Sequence, residues 1–340
     1  MSEAQKDKSA TTPWIVTASF SLDGKYLITG SLEGYLTEWD TATGEKVRVL
    51  LDPTALEDHN PKVTRIEDGK EVEGSFQLVR LSENMRGSSI VCVRFSPDGK
   101  LFAVGAANGA VVIWGAEYRG EWYAWNAHAK GVVAIDISHD HQWLATGAWE
   151  EGGTTLRVWR LIEPGKDFHA KEVFSDYRHA VGVWAVAFSP DGSLLASGGW
   201  GFSSYSAPRL YKVETGEEVG STFLDTTRSL HFSPDGKFLA TGGEFGAVSI
   251  LDVTNSQRVF GMENAHTEIV GVVLFSPDGQ KLISASRDGT LKIWNALNYK
   301  QLAEYSFAGA ILACRFCGDN LYIAEAAKGA DRPNIHCLPS

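Results

Sequence analysis

HTEIVGVVLFSPDGQKLISASRDGTLKIWN, residues 266–295, holds three strand patterns separated by two tight turns. Ile269 to Phe275 is a nearly continuous apolar run, as expected of a strand covered on both faces. Ser276-Pro277-Asp278-Gly279 then reverses the chain, because Pro fixes φ and Gly is free to take φ > 0. Lys281 to Ala285 reads as a second strand, Ser286-Arg287-Asp288-Gly289 as a second turn, and Thr290 to Trp294 as a third strand of alternating character. Beyond Asn295, the more polar Lys300 to Tyr305 suits an outer edge.

The same block recurs. It reads Phe20-Ser21-Leu22-Asp23-Gly24, Phe95-Ser96-Pro97-Asp98-Gly99, Ile137-Ser138-His139-Asp140, Phe188-Ser189-Pro190-Asp191-Gly192, Phe232-Ser233-Pro234-Asp235-Gly236, Phe275-Ser276-Pro277-Asp278-Gly279 and Phe316-Cys317-Gly318-Asp319. The intervals between lead residues are 75, 42, 51, 44, 43 and 41. A period near 43 with strands on both sides of each turn is that of propeller blades. One such sheet cannot bury both its faces, so neighbours must stack on it, and closure into a ring removes the open ends. The expected fold is therefore all-β: a seven-bladed β-propeller of four-stranded antiparallel blades spanning residues 13–340. The polar segment 1–12 precedes it, and Gln5 to Ala10 sits at the offset of a closing strand for the last blade. An insertion of about thirty residues, near 52–80, separates blades one and two. Within it, Arg65-Ile66-Glu67-Asp68-Gly69-Lys70 lies between Val63 and Val72 and predicts a small hairpin.

Composition narrows the class of function. The chain is 44% hydrophobic and 21% charged, which suits one packed core. Its net charge of −11, from 31 basic and 42 acidic residues, disfavours nucleic acid as a ligand, since phosphate binding needs a basic footprint. No apolar run follows the polar start as a secretory signal, and none is long enough to span a bilayer. Four cysteines (Cys92, Cys314, Cys317, Cys337) are too few for a disulfide scaffold, so reduced thiols and a cytoplasmic location are expected, with the nucleus as the alternative.

These residues resemble the WD-repeat (Trp-Asp repeat) β-propeller family over roughly residues 13–339. His128, His179 and His266 each lie nine positions before a turn's lead residue, where that family carries its His. Trp39, Trp114, Trp159 and Trp294 take its Trp position, Tyr211, Leu251 and Leu338 replace it, and only Trp39-Asp40 keeps the literal dipeptide. The resemblance implies a structural hydrogen-bond tetrad of His266, Ser284, Asp288 and Trp294 in blade six. Blade three keeps His128, Thr146 and Trp159 but offers Glu150 where Asp is expected.

No chemistry-bearing constellation emerges. Cys314-x-x-Cys317 falls on an innermost strand, where residues three apart point to opposite faces, so core packing is expected of Cys314. His139 and His141 flank Asp140 in a turn and are read as solvated. Gly152-Gly153 and Gly198-Gly199 open no helix and cradle no phosphate. The chain is expected not to be an enzyme and to use no cofactor or metal.

Repeats that depart from the mean length point to binding. Blades three and four lengthen between their second and third strands at Trp149 to Gly153 and at Trp200 to Tyr205, and blade five places Glu244-Phe245 at the matching corner. Second-to-third and fourth-to-first connections open on one face, so Trp149, Trp200, Phe202, Tyr205 and Phe245 are expected there as partner anchors, with Arg228 and Arg287 as charged rim residues. Trp122, Tyr123 and Trp125 on an outer strand should fill gaps between blades. The expected function is a non-catalytic scaffold presenting loops to other proteins or peptides, with no nucleic-acid or membrane partner. A regulatory or substrate-recognition subunit of a ubiquitin ligase or a transcriptional corepressor complex is the alternative, and a propeller enzyme ranks below it.

Overall fold

A computed structural model describes residues 14–53, 63–67, 70–74, 88–115, 122–150, 153–162, 169–179, 181–200, 207–222, 226–326 and 332–339. Its elements are all β-strands, arranged as seven antiparallel blades. Blade one runs Ile15–Phe20, Tyr26–Ser31, Leu36–Asp40 and Lys46–Leu51 from the inside outwards. Blade six repeats this with Val270–Phe275, Lys281–Ser286, Thr290–Asn295 and Gln301–Ser306. Six blades have four strands, and the seventh has three among the described residues: Ala310–Cys317, Asn320–Ala326 and Asn334–Pro339. Gln5 to Ala10 lies outside the described residues.

The hydrophobic core is divided among seven clefts, each shared by two neighbouring blades. Ile28 and Leu36 of blade one meet Ile90, Phe102 and Trp114 of blade two. Trp125 on blade two's outer strand meets Trp159 of blade three edge-on at 5.4 Å, so the gap-filling expected of it is present. The last cleft sets Ala313 and Ala324 of blade seven against Phe20, Leu27 and Trp39 of blade one, which closes the ring. At roughly 1.5–3 kcal/mol for each large side chain buried, these clefts supply the main stabilisation, and none exists in an isolated blade.

The repeated turn owes its shape to side chains. In six blades the Ser hydroxyl donates to the Asp carboxylate two residues on, at 2.5–2.8 Å. That carboxylate accepts the backbone N–H two residues further, as from Gln280 to Asp278 at 3.0 Å. Gly279 has φ +69°, which a side chain disfavours. In blade three His141 takes that place at φ 57°, and its Nε2 lies 2.6 Å from Asp98 of blade two. The reading of His141 as solvated is thus corrected: two turns stacked side by side give its ring a carboxylate.

Val63–Glu67 and Lys70–Gly74 form an antiparallel hairpin, with Glu67 opposite Lys70 around Asp68-Gly69, as the two-residue Asp-Gly loop predicts.

Candidate interaction face

Each innermost strand begins with a bulge. Register shifts fall between Val183 and Ala185 in blade four and between Thr227 and Ser229 in blade five, with equivalents in all seven. The extra residue is re-aimed out of the ladder at the channel mouth. In five blades it is Val16, Val91, Val133, Gly271 or Leu312; in blades four and five it is Trp184 and Arg228.

That substitution builds a cluster. The Arg228 guanidinium lies 3.9 Å from the Trp184 ring centroid, within cation–π range. Arg228 Nε donates to Glu244, which holds it over the indole. The other neighbour of Trp184 is Trp149, 6.2 Å away with planes at 38°. A contact line therefore runs from the corner of blade three through the bulges of blades four and five to Glu244 and the Phe245 corner. Trp184 Nε1 is buried with no hydrogen-bond partner among the described residues.

Six aromatic side chains of the described residues are exposed. Five, Trp14, Trp149, Tyr177, Trp200 and Phe245, lie at second-to-third corners or fourth-to-first connections; only Tyr26 lies toward the opposite face. Tyr177 and Phe245 are 76% and 70% exposed, so no neighbouring blade covers them. Two arginines of this face are neutralised from within: Arg178 pairs with Asp176 and Glu218, and Arg228 with Glu244.

Internal hydrogen bonds fix the corners. In blade six His266 Nε2 is 2.7 Å from Ser284 Oγ, and Trp294 Nε1 donates to the same oxygen at 2.9 Å. His266 Nδ1 lies 2.8 Å from Thr290 Oγ1 and 3.4 Å from Asp288. Blade three repeats this with Thr146 Oγ1, 2.9 Å from both His128 Nε2 and Trp159 Nε1. There Nδ1 of His128 faces the Thr154 carbonyl at 3.2 Å, while Glu150 stands 3.9 Å off and leaves one buried oxygen unpartnered. His128 therefore ties down the corner that carries Trp149. Burial pushes its ring down to about 4, with the Arg157 charge acting in the same direction, so it is neutral at pH 7. At blade five, Gly246 has φ +81° and approaches the His266 carbonyl so closely that a Cβ would fall on its oxygen. Only glycine lets the Phe245 corner seat there.

Of the residues singled out from sequence, Trp149, Trp200 and Phe245 sit exposed on one face. Phe202 and Tyr205 lie outside the described residues. Arg228 is engaged by Glu244 and Trp184, whereas Arg287 is exposed. Sequence reasoning missed Trp14 and Tyr177, although each immediately flanks a fourth-to-first connection and could have been found there. Trp184, whose partners Trp149 and Arg228 come from other blades, was likewise not singled out. Cys314 packs against the core between blades six and seven, and burial raises its thiol strongly. Among the described residues no three His, Cys, Asp or Glu side chains are grouped as metal ligands, and no helix is long and apolar enough to cross a membrane.

A family model described as "WD domain, G-beta repeat" matches residues 78–115, 121–160, 171–203, 222–244 and 256–295, over half of the chain. The chain is 24% identical over 238 residues to the U3 small nucleolar RNA-associated protein 15 homolog of Xenopus tropicalis, covering 68% of this chain and 43% of that protein. It is 25% identical over 223 residues to the transcriptional corepressor LEUNIG_HOMOLOG of Arabidopsis thaliana, covering 65% and 26%. It is 29% identical over 194 residues to a chromatin assembly factor 1 subunit of Mus musculus, covering 51% and 33%. The matches thus span less than half the length of each of these relatives.

Proposed function

The chain belongs to the WD-repeat family, and from that premise we propose that it is a non-catalytic scaffold whose aromatic face docks other proteins or peptides. The observation that carries this reading is the gathering of five of six exposed aromatic side chains on one side of the ring. Large, stiff side chains on pre-ordered corners provide contact area with little ordering cost on the propeller side. Trp149, Trp200 and Phe245 are the anchors, Trp184 with Arg228 is the platform between them, and Arg287 offers an exposed rim charge. The net charge of −11 favours basic or neutral partners.

The test is partner capture by the wild type, by a Trp149→Ala/Trp200→Ala/Phe245→Ala variant and by a Tyr26→Ala/Leu297→Ala variant of the opposite face. Partners lost only with the first variant support the reading. Identical partner sets for all three remove it.

The relatives' names favour a second, narrower reading: a regulatory subunit of a corepressor or chromatin-associated complex. The ubiquitin-ligase version gains no such support. The same names, with a nucleolar RNA-associated protein among them, point to the nucleus rather than the cytoplasm. Within an RNA-associated assembly this acidic propeller would contact protein components. Imaging of the tagged chain tests the location, and exclusion from nuclei would count against it.

A further inference from the structure

At the opposite mouth of the channel the chain places charge. On each innermost strand the residue just before the lead of the turn lies at the mouth end of the strand, on the side opposite the lead. Four of these are ionisable: Arg94, Asp136, His231 and Arg315. Three are pinned to a neighbouring inner strand. Asp136 Oδ2 accepts the Phe188 N–H at 2.8 Å, His231 Nδ1 accepts the Phe275 N–H at 3.3 Å, and Arg315 donates to the carbonyls of Phe20 and Pro97 at 3.2 and 3.3 Å.

Arg94 is different. Its one ion pair is through Nε, 3.4 Å from Asp136 Oδ1, and among the described residues it makes no other hydrogen bond or ion pair. The side chain is 47% exposed, and its two terminal nitrogens have no partner among the described residues. Among the described residues Asp136 is the one carboxylate within ion-pair distance of either guanidinium group. With Nδ1 accepting, the neutral His231 ring keeps its proton on Nε2 and adds a neutral donor. The charge of Arg94 also reaches its neighbours: burial and then Arg94 push His231 down to about 4, and burial with Arg94 lowers Arg315.

We infer that this mouth binds one singly charged carboxylate, held by the terminal fork of Arg94. A planar carboxylate matches that fork. The turn carboxylates around the mouth, Asp23, Asp98 and Asp140 among them, oppose anions of higher charge. The carboxylate can arrive free or as a glutamate of a partner chain, and the experiment separates these sources.

Saturation-transfer NMR on the acetate methyl group, at constant ionic strength set with sodium chloride, reads the free ion. An acetyl-Gly-Glu-Gly amide peptide and its Gln counterpart read the side chain. The wild type should give a saturable acetate signal that falls at least tenfold in Arg94→Gln. Arg94→Lys keeps a charge beside Asp136 but lacks the fork, and should lose most of the signal while unfolding at the wild-type temperature. A Glu peptide that saturates below acetate assigns the site to a partner residue; acetate saturating first assigns it to a free carboxylate. No saturation with either probe, or full signal in a folded Arg94→Lys, overturns the inference.

Discussion

Thr29 and Thr146 occupy the same register position, on the second strand of blades one and three, and a single substitution at each isolates what the buried histidine contributes. Thr29 Oγ1 accepts only the Trp39 indole N–H among the described residues, at 2.7 Å. Thr146 Oγ1 serves both Trp159 and His128 at 2.9 Å. Both threonines are essentially inaccessible to water. Thr→Val keeps the shape and deletes the hydroxyl, so cavity terms largely cancel. Each buried polar group left without a partner costs about 1–3 kcal/mol. Thr29→Val orphans one such group and Thr146→Val two, so the second should cost about twice the first. Urea unfolding followed by tryptophan fluorescence and far-ultraviolet circular dichroism measures both, with unchanged m-values required for a direct comparison. Amide exchange across the blade-three corner supplies a local reading, because His128 also faces the Thr154 carbonyl. Faster exchange there should accompany Thr146→Val and be absent in Thr29→Val. Equal destabilisation by the two variants, with the corner unchanged, would refute the claim that this histidine anchors the presenting loop.

Three further outcomes are expected. His128 is held near 4 in the fold and near 6.5 when exposed, so between these values the unfolded chain carries more protons. Its contribution, roughly 3 kcal/mol, is therefore complete above about pH 6.5 and lost as pH falls toward 4; His128→Gln should flatten that limb of the unfolding profile, and an unaltered slope would contradict the assignment. Arg315→Met keeps the aliphatic stem but deletes the bonds to Phe20 and Pro97, and should lower stability by about 3 kcal/mol in thermal unfolding; a loss below about 0.5 kcal/mol would show that the strap carries no energy. Gly246→Ala leaves the Phe245 ring intact yet drives a methyl group into the His266 carbonyl, so partner capture should fall as it does for Phe245→Ala; normal capture would mean that the corner's position is immaterial.

Contacts within a blade were legible from the chain because their partners are close in sequence. The turns and the hairpin at Asp68-Gly69 follow from spacings of a few residues, and the His266–Ser284–Trp294 arrangement, which the family resemblance implied, spans about thirty. Contacts between blades were not legible, since they depend on how one sheet is staggered against the next. Trp184 and Arg228 are 44 residues apart, and His141 and Asp98 are 43 apart. Each pair spans about one repeat: Trp184 and Arg228 hold equivalent positions and His141 and Asp98 neighbouring ones, which does not mark them as touching side chains. Arg228 accordingly looked like a free rim charge until its partners, Glu244 and the Trp184 ring, were in place.

Arg315 also bears on how the ring would come apart. From the seventh module its guanidinium grips a carbonyl in the first and another in the second, so it crosses two seams. A tug at the amino-terminal end is thereby shared among three modules, and prising out the first requires both seams to part together. The molecule thus resists unravelling as a hoop, in which the joint between the seventh module and the first is riveted to the member beyond it.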